Sequence, residues 1–208
     1  MKFLLLPSIT ILIFVLNHNI RKNKNKDDGS IKSYLSREDA ANSTRRKDLS
    51  ALPYIEVPLD VLPLDITLND EKMQLRISQY IKEIYALSEK QMLNLIGISN
   101  TELKEQYGPA NLEILTTYDM NYSRYIRNLH LLADCIYPEY PEQAVEVWEY
   151  CLSIGTDISG TFGALAQHYV SAKDKEHFKK LYDFIPNKDT ISGKTILKKL
   201  DSFAEQFQ

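Results

Sequence analysis

The chain has 208 residues, 44% of them hydrophobic and 25% charged, enough for one sizeable core but a tight fit for two compact domains. Seven Gly and eight Pro exclude a low-complexity or fibrous protein, and two Cys, Cys135 and Cys151, supply neither a disulfide framework nor paired metal-ligand spacing. The formal net charge of -3 argues against a basic nucleic-acid binder, yet it conceals a split: residues 21–47 carry a net +5 and residues 48–208 a net -9.

Residues 3–16 (FLLLPSITILIFVL) form a charge-free, mostly apolar run of 14 residues. As a helix the run spans about 21 Å at ~1.5 Å per residue, short of the ~30 Å hydrocarbon core. That length suits a signal-peptide core. The flanks favour an uncleaved anchor instead, because only Lys2 precedes the run, no A-x-A-like site follows it, and Arg21, Lys22, Lys24 and Lys26 come straight after. Positive charge marks the cytoplasmic side of a span. The pattern therefore predicts a single-pass cell-membrane protein with an anchor over residues 1–20 and a cytoplasmic body. The alternative is an exported or cell-surface helical protein with a cleaved signal peptide. On the first reading the lipid bilayer is one partner, and the basic flank is a topology signal with some affinity for anionic lipid. The sequon Asn42-Ser43-Thr44 is meaningless on a cytoplasmic body.

Residues 21–51 read as a basic, polar linker, mobile or partly helical. Residues 52–68 place Pro53, Pro58 and Pro63 five residues apart among Tyr54, Ile55, Val57, Leu59, Val61, Leu62 and Leu64. Proline at that spacing forbids a helix, while the apolar side chains require burial. An extended strap lying across a helical body satisfies both demands.

From Asp70 the periodicity turns helical, and residues 69–208 read as one helical-repeat domain. Met73, Ile77, Tyr80, Ile81, Ile84 and Leu87 make an apolar stripe that Asn69 or Asp70 can cap. Ser99 and Glu102 form a capping box opening a short helix, which Gly108 and Pro109 stop. A long helix is predicted over Tyr118–Tyr137, with Leu112, Ile114 and Leu115 in or just before its first turns. Helices are then expected over Glu142–Ile154 (Ala144, Val145, Trp148, Cys151 and Leu152 inward), Ile158–Ala172 (capped by Asp157), Lys175–Ile185 (capped by Asp174) and about Ser192–Gln206. No strand pattern follows Thr67, so the body is predicted all-α.

A period of 34 residues runs through this region, pairing Leu131 with Leu165, Trp148 with Tyr182 and Cys151 with Ile185. Phe162, Leu165, Ala166 and Tyr169 follow the aromatic-x-x-Leu-small-x-x-Tyr pattern of a tetratricopeptide first helix. Ala144, Trp148 and Cys151 stand where the second helix has its Ala, aromatic and small residues. Residues 125–191 thus resemble two degenerate tetratricopeptide-like hairpins, a short α-solenoid closed by a solvating helix. Leu132 and Phe178 depart from the pattern, since each occupies a small-residue position. Gly160, Gly163 and Ala164 provide either a close-packing face or a groove floor, and packing is the preferred reading. The Lys and Asn of a carboxylate clamp, found in some peptide-binding relatives of this fold, are missing.

Four ordered strings carry a second resemblance. They are residues 41–48 (ANSTRRKD), Leu52-Pro53-Tyr54-Ile55 with Pro58-Leu59-Asp60, Thr101-Glu102-Leu103-Lys104 with Tyr107-Gly108-x-Ala110-Asn111-Leu112, and Gly155-Thr156-Asp157-Ile158-Ser159. Together they resemble an uncharacterised family of small membrane-anchored helical proteins of anaerobic Gram-positive bacteria. The resemblance implies a bacterial membrane location and a helical body, and no activity.

Catalytic constellations are not found. There is no Walker loop, nucleophile elbow or dinucleotide fingerprint. His168 and His177 fall on successive helices and can approach each other, but without the close-set spacing of a zinc site. Glu142, Glu146 and Glu149 line one side of a helix and read as solvated surface. Cys135 and Cys151 occupy apolar stripes, where free Cys acts as a small hydrophobe. The sequence therefore predicts a membrane-tethered interaction or scaffold module that binds another protein. It is not expected to be an enzyme or to take a cofactor, metal, nucleic acid or small-molecule substrate.

Overall fold

The computed structural model describes residues 30–207. The proposed anchor, and with it Arg21, Lys22, Lys24 and Lys26, lies outside the described residues. Among the described residues the fold is all-α, with eight helices and no strand, and no helix is long and apolar enough to cross a membrane. The helices are α1 (residues 30–42), α2 (Glu71–Ser88), α3 (Asn100–Tyr107), α4 (Leu112–Ile136), α5 (Pro141–Ser153), α6 (Ser159–Ser171), α7 (Lys175–Lys180) and α8 (Ile191–Ala204).

The chain divides into two compact units. Among the described residues the smaller joins residues 30–48 to Ser99–Leu112, and the larger comprises Leu49–Ile98 and Glu113 onward. Two of the four ordered strings meet in the smaller unit. Glu38 of α1 takes an ion pair from Lys104 and a hydrogen bond from Thr101 Oγ1 at 2.8 Å, while Arg37 forks onto Glu105 through two 2.7 Å bonds. Both carboxylates are held below the ordinary range, Glu38 first by its bond from Lys104 and Glu105 first by Arg37.

Asn111 ties the strings together. Fully buried, it donates through Nδ2 to the carbonyls of Lys47 (2.7 Å) and Tyr107 (2.8 Å) and accepts from Arg46 Nε at 3.0 Å. One side chain so satisfies two carbonyls that no helix serves. The backbone passes Gly108 so closely that a Cβ there would meet Arg45 O at 2.6 Å, and its φ of +85° suits glycine. The predicted Ser99–Glu102 capping box is present.

In the larger unit the proline-rich segment has no helix or strand. Leu62, Leu64 and Leu68 enter the core, Ile55 donates its N–H to Met92 O at 3.0 Å, and Val61, expected to be buried, is 72% exposed. Asp70 caps α2, whose Ile77, Ile84 and Leu87 are buried while Met73 at the start of the stripe is exposed. The loop after α2 is held by Asn94. Its Nδ2 reaches the Tyr122 hydroxyl (3.1 Å) and the carbonyls of Ile154 (3.0 Å) and Gly155 (3.1 Å), and Tyr122 itself donates to Ile154 O at 2.9 Å.

Helix α4 begins at Leu112, six residues before the predicted start, because nothing after Pro109 breaks a helix and Leu115 finds a buried site. Its predicted inner face is fully buried or nearly so. On α5 the inner face turns toward Val147, which is fully buried, leaving the expected Val145 half-buried.

Helix α6 packs against α5, α7 and α8. Both of its flanking turns are Schellman motifs, in which a left-handed residue lets two successive N–H groups reach back to helix carbonyls. Before it, Gly155 (φ +83°) donates to Leu152 O at 3.0 Å and Thr156 to Cys151 O at 3.0 Å. After it, Lys173 (φ +59°) donates to Val170 O at 3.1 Å and Asp174 to Tyr169 O at 2.8 Å. Asp157 is not the cap of α6. Ile158 holds that position, and the fully buried Thr156 accepts the Ile158 N–H through Oγ1 at 3.2 Å. Asp174 does cap α7, which runs only to Lys180 before tightening into a 3-10 turn over Leu181–Phe184.

Lys173 carries a Cβ in a conformation that disfavours one, at a cost of roughly 1 kcal/mol. The substitution Lys173→Gly is expected to raise stability by about 0.5–1 kcal/mol, read as a higher urea midpoint at unchanged slope. A lower midpoint would contradict this account of the turn.

Candidate functional site

Along α4, Ser123, Arg127 and Leu131 recur every fourth residue, with Ile126 and His130 on the same side. Asp157 and Ile158, at the entry to α6, face them across a cleft of about 490 Å³. Ser123 and Arg127 are exposed, while Leu131, Asp157 and Ile158 are half-buried. The cleft therefore has an apolar floor, a guanidinium on one wall and a carboxylate on the other, a combination suited to a polar chain with apolar side groups.

His130 closes the inner end. Its Nδ1 lies 3.3 Å from Thr161 Oγ1, and its Nε2 lies 3.5 Å from Asp134 Oδ2 one turn further along α4. Gly160 makes room for the ring, since a Cβ there would sit 2.6 Å from His130 Nε2. Gly163 does the same for Lys199 of α8, whose Nζ donates to Ser159 O at 3.2 Å. The small residues of α6 thus serve helix approach, which is the packing reading.

Burial pushes the His130 imidazole toward its neutral form, opposed by Asp134 and reinforced by Lys199. Burial raises Asp134 in turn, against the pull of His130. The order hydroxyl, imidazole, carboxylate invites comparison with a hydrolytic triad. Thr161, however, is fully buried, and a nucleophile with no exposed surface cannot meet a substrate. The group works as a satisfied polar joint between α4 and α6.

A second feature joins α4 to α7. The rings of Tyr137, His168, Tyr169 and His177 succeed one another at 6.0, 5.7 and 5.7 Å. Tyr169 donates to Glu149 Oε1 at 2.5 Å, so this glutamate is more than solvated surface, and burial together with that carboxylate drives the phenol far above its ordinary value. His177 Nδ1 contacts Asp174 Oδ2 at 2.6 Å. A narrower cleft of about 230 Å³ opens between Glu149, Tyr169, His177, Lys180 and Phe184. The Tyr169 ring lies against both His168 and His177, and among the described residues no group of three or more His, Cys, Asp or Glu is placed to hold a metal ion.

Of the residues singled out by the 34-residue period, Ala144, Cys151, Phe162, Leu165 and Ala166 are fully buried, with Trp148 and Tyr169 nearly so. Leu131 and Tyr182 are half-buried; Leu131 lines the larger cleft, and the Tyr182 hydroxyl donates to Asp201 Oδ1 at 2.9 Å. The Trp148 indole packs 5.2 Å from Tyr137, and its Nε1 finds no acceptor among the described residues. Burial drives the buried Cys151 thiol far up and the half-buried Cys135 thiol up as well, away from an activated thiolate. The cleft beside His130 escaped the sequence reading, although the i, i+4 pair His130–Asp134 was a visible signal.

No protein-family model, curated protein or solved structure matches the chain.

A group whose folded pKa is depressed supports the fold above its unfolded value and loses that support as pH falls. For His130 the unfolded value is 6.5, so its contribution is complete above that and declines below it. The variant His130→Gln, which keeps a hydrogen-bonding partner for Thr161, is expected to flatten the fall in melting temperature between about pH 7 and pH 5. An unchanged slope would contradict the burial of a neutral imidazole here.

Proposed function

We propose that this chain is a membrane-tethered helical-repeat protein whose body binds another protein and performs no catalysis of its own. The observation that carries this reading is the register of the hairpins. Helices α5 and α7 start 34 residues apart, at Pro141 and Lys175. Ala144 of α5 and Phe178 of α7 are buried at that same spacing, as are Val147 and Leu181 and Cys151 and Ile185, although Leu181 lies in the 3-10 turn after α7 and Ile185 just beyond it. Leu132 and Ala166, one on each preceding helix, keep it too, and both are fully buried.

In a solenoid each hairpin leaves one face uncovered, and the next hairpin covers it. On this reading α4 and α6 are the first helices of two units, α5 and α7 their second helices, and α8 the solvating end. The degeneracy is concentrated in the first helices. Helix α4 has 25 residues against 13 for α6, and Leu131 is half-exposed where Leu165 is buried.

The cleft on α4 then lies on the first-helix side, the side such repeats use for extended ligands. Its apolar floor with Arg127 and Asp157 on the walls supports a peptide-like partner. The inaccessibility of Thr161 supports a binding rather than a catalytic role. The tether rests on the apolar run 3–16 and the basic flank after it, and the resemblance of the ordered strings to small membrane-anchored proteins of anaerobic Gram-positive bacteria favours a bacterial membrane setting.

A photo-crosslinker at exposed Ser123, activated in intact membranes, is expected to trap one reproducible protein adduct. Arg127→Glu is expected to abolish that adduct while changing stability by less than about 0.5 kcal/mol, because Arg127 is exposed. No adduct, or one indifferent to Arg127→Glu, would count against the cleft as the binding surface.

A further inference from the structure

Helix α1 has one face, but its two halves meet different surroundings. Ile31, Tyr34, Leu35, Glu38 and Ala41 follow one another at helical i, i+3, i+4 spacing. Towards the carboxyl end that face is engaged, with Glu38 paired to Lys104 and Thr101 of α3 and Ala41 fully buried. Towards the amino end it is not. Ile31 is 56% exposed, Tyr34 59% and Leu35 54%, three large apolar side chains side by side in the first two turns.

Scattered apolar residues on a surface need no explanation, but a contiguous stripe at the end of a helix marks a contact. The charges say what kind. Residues 30–37 contain Lys32 and Arg37 and no acid, whereas Glu38 and Asp39 fall in the half that meets α3. Extending back to Arg21, residues 21–37 hold six Lys or Arg against two Asp, Asp27 and Asp28, so the approach to the stripe is strongly basic. A helix with Ile, Tyr and Leu on one side, Ser and Lys on the other, and a cationic flank suits the interface of an anionic bilayer, where Tyr sits with its ring in the headgroup layer.

We propose that the amino-terminal half of α1 lies in the headgroup layer of an anionic membrane, with Ile31, Tyr34 and Leu35 inserted and Lys32 at the lipid phosphates. This rests on the tether reading and adds to it. The chain would touch the bilayer twice, through the apolar run and again through α1, and α3 would be held close to the membrane by its ion pairs to α1. The remainder of α1 is excluded from lipid because its Glu38 is already paired with α3 and its Ala41 is fully buried.

The test is depth-dependent quenching in the full chain. Tyr34→Trp is reconstituted into phosphatidylcholine vesicles containing roughly 30% phosphatidylserine, with and without brominated acyl chains. The buried Trp148, the only tryptophan of the natural chain, serves as an internal control. The new indole is expected to emit further to the blue and to lose at least half its intensity to brominated lipid, while Trp148 emission in the unaltered chain stays constant. Adding Ile31→Lys and Leu35→Lys is expected to abolish that quenching while the protein still floats with the vesicles. A chain that floats with an unquenched reporter overturns the α1 proposal and leaves the tether intact. A blue-shifted but unquenched reporter also overturns it, since protein, either residues 3–16 or a second copy, then covers the stripe. Failure to float overturns both readings.

Discussion

Everything in the larger unit depends on how closely its neighbours can approach α6. Only Gln167 and Ser171 of this helix are exposed, and its other residues are buried or half-buried. A helix enclosed on nearly all sides must be apolar nearly all round and must have small residues wherever another element crosses. Phe162, Leu165 and Ala166 meet the first demand, and Gly160 and Gly163 the second, with His130 and Lys199 filling the space their missing side chains leave. Polar groups drawn inward by such close packing have to be paired, which is why Thr161 meets His130 and Lys199 meets the Ser159 carbonyl. The larger cleft is a by-product of this arrangement, its floor supplied by α4 and its far wall by the turn that delivers the chain into α6.

Between the longer helices, a half-buried and a fully buried asparagine do the work a sheet would otherwise do. Asn94 gathers the Tyr122 hydroxyl and two carbonyls at the end of α5, and Asn111 gathers the Lys47 and Tyr107 carbonyls in the smaller unit. Each amide ties together segments that lie far apart in sequence. The ends of α6 follow the same economy of local bonding, since Asp174 completes the turn after α6 and in the next residue begins capping α7 through His177 N–H at 3.0 Å. Short turns that perform two tasks leave little freedom in the angle between successive helices.

How much of this was legible in the sequence follows from the range of the forces involved. Signals set by neighbours within one turn were readable: the capping box at Ser99, the caps at Asp70 and Asp174, and the burial of Tyr122 through Ile136 along α4. Signals set by distant partners were not. Asp157 looks like a cap, but Ile158 holds that position, its N–H bonded to the buried Thr156 hydroxyl of the preceding turn. The polar stretch after Gly29 looks like a linker, because the ion pairs that fasten α1 reach 66 and 68 residues along the chain. Nothing in residues 99–112 signals locally that they belong to one compact unit with α1, some 60 residues earlier in the chain. The cleft was missed for a similar reason, as its two walls are some 30 residues apart and only packing brings them together.

The proposed reading gives the acidic body and the basic approach to it different jobs. On that reading the net -9 over residues 48–208 would oppose contact of most of the body with anionic headgroups, while the net +5 over residues 21–47 would favour it. Orientation across the membrane decides which proteins the cleft can ever meet, so it is the claim on which the functional reading turns. Trypsin added to sealed protoplasts tests it directly. The account predicts that the helical body stays whole until the membrane is permeabilised and is then cut at its many exposed lysines. Cleavage of the body in protoplasts that remain sealed would contradict it.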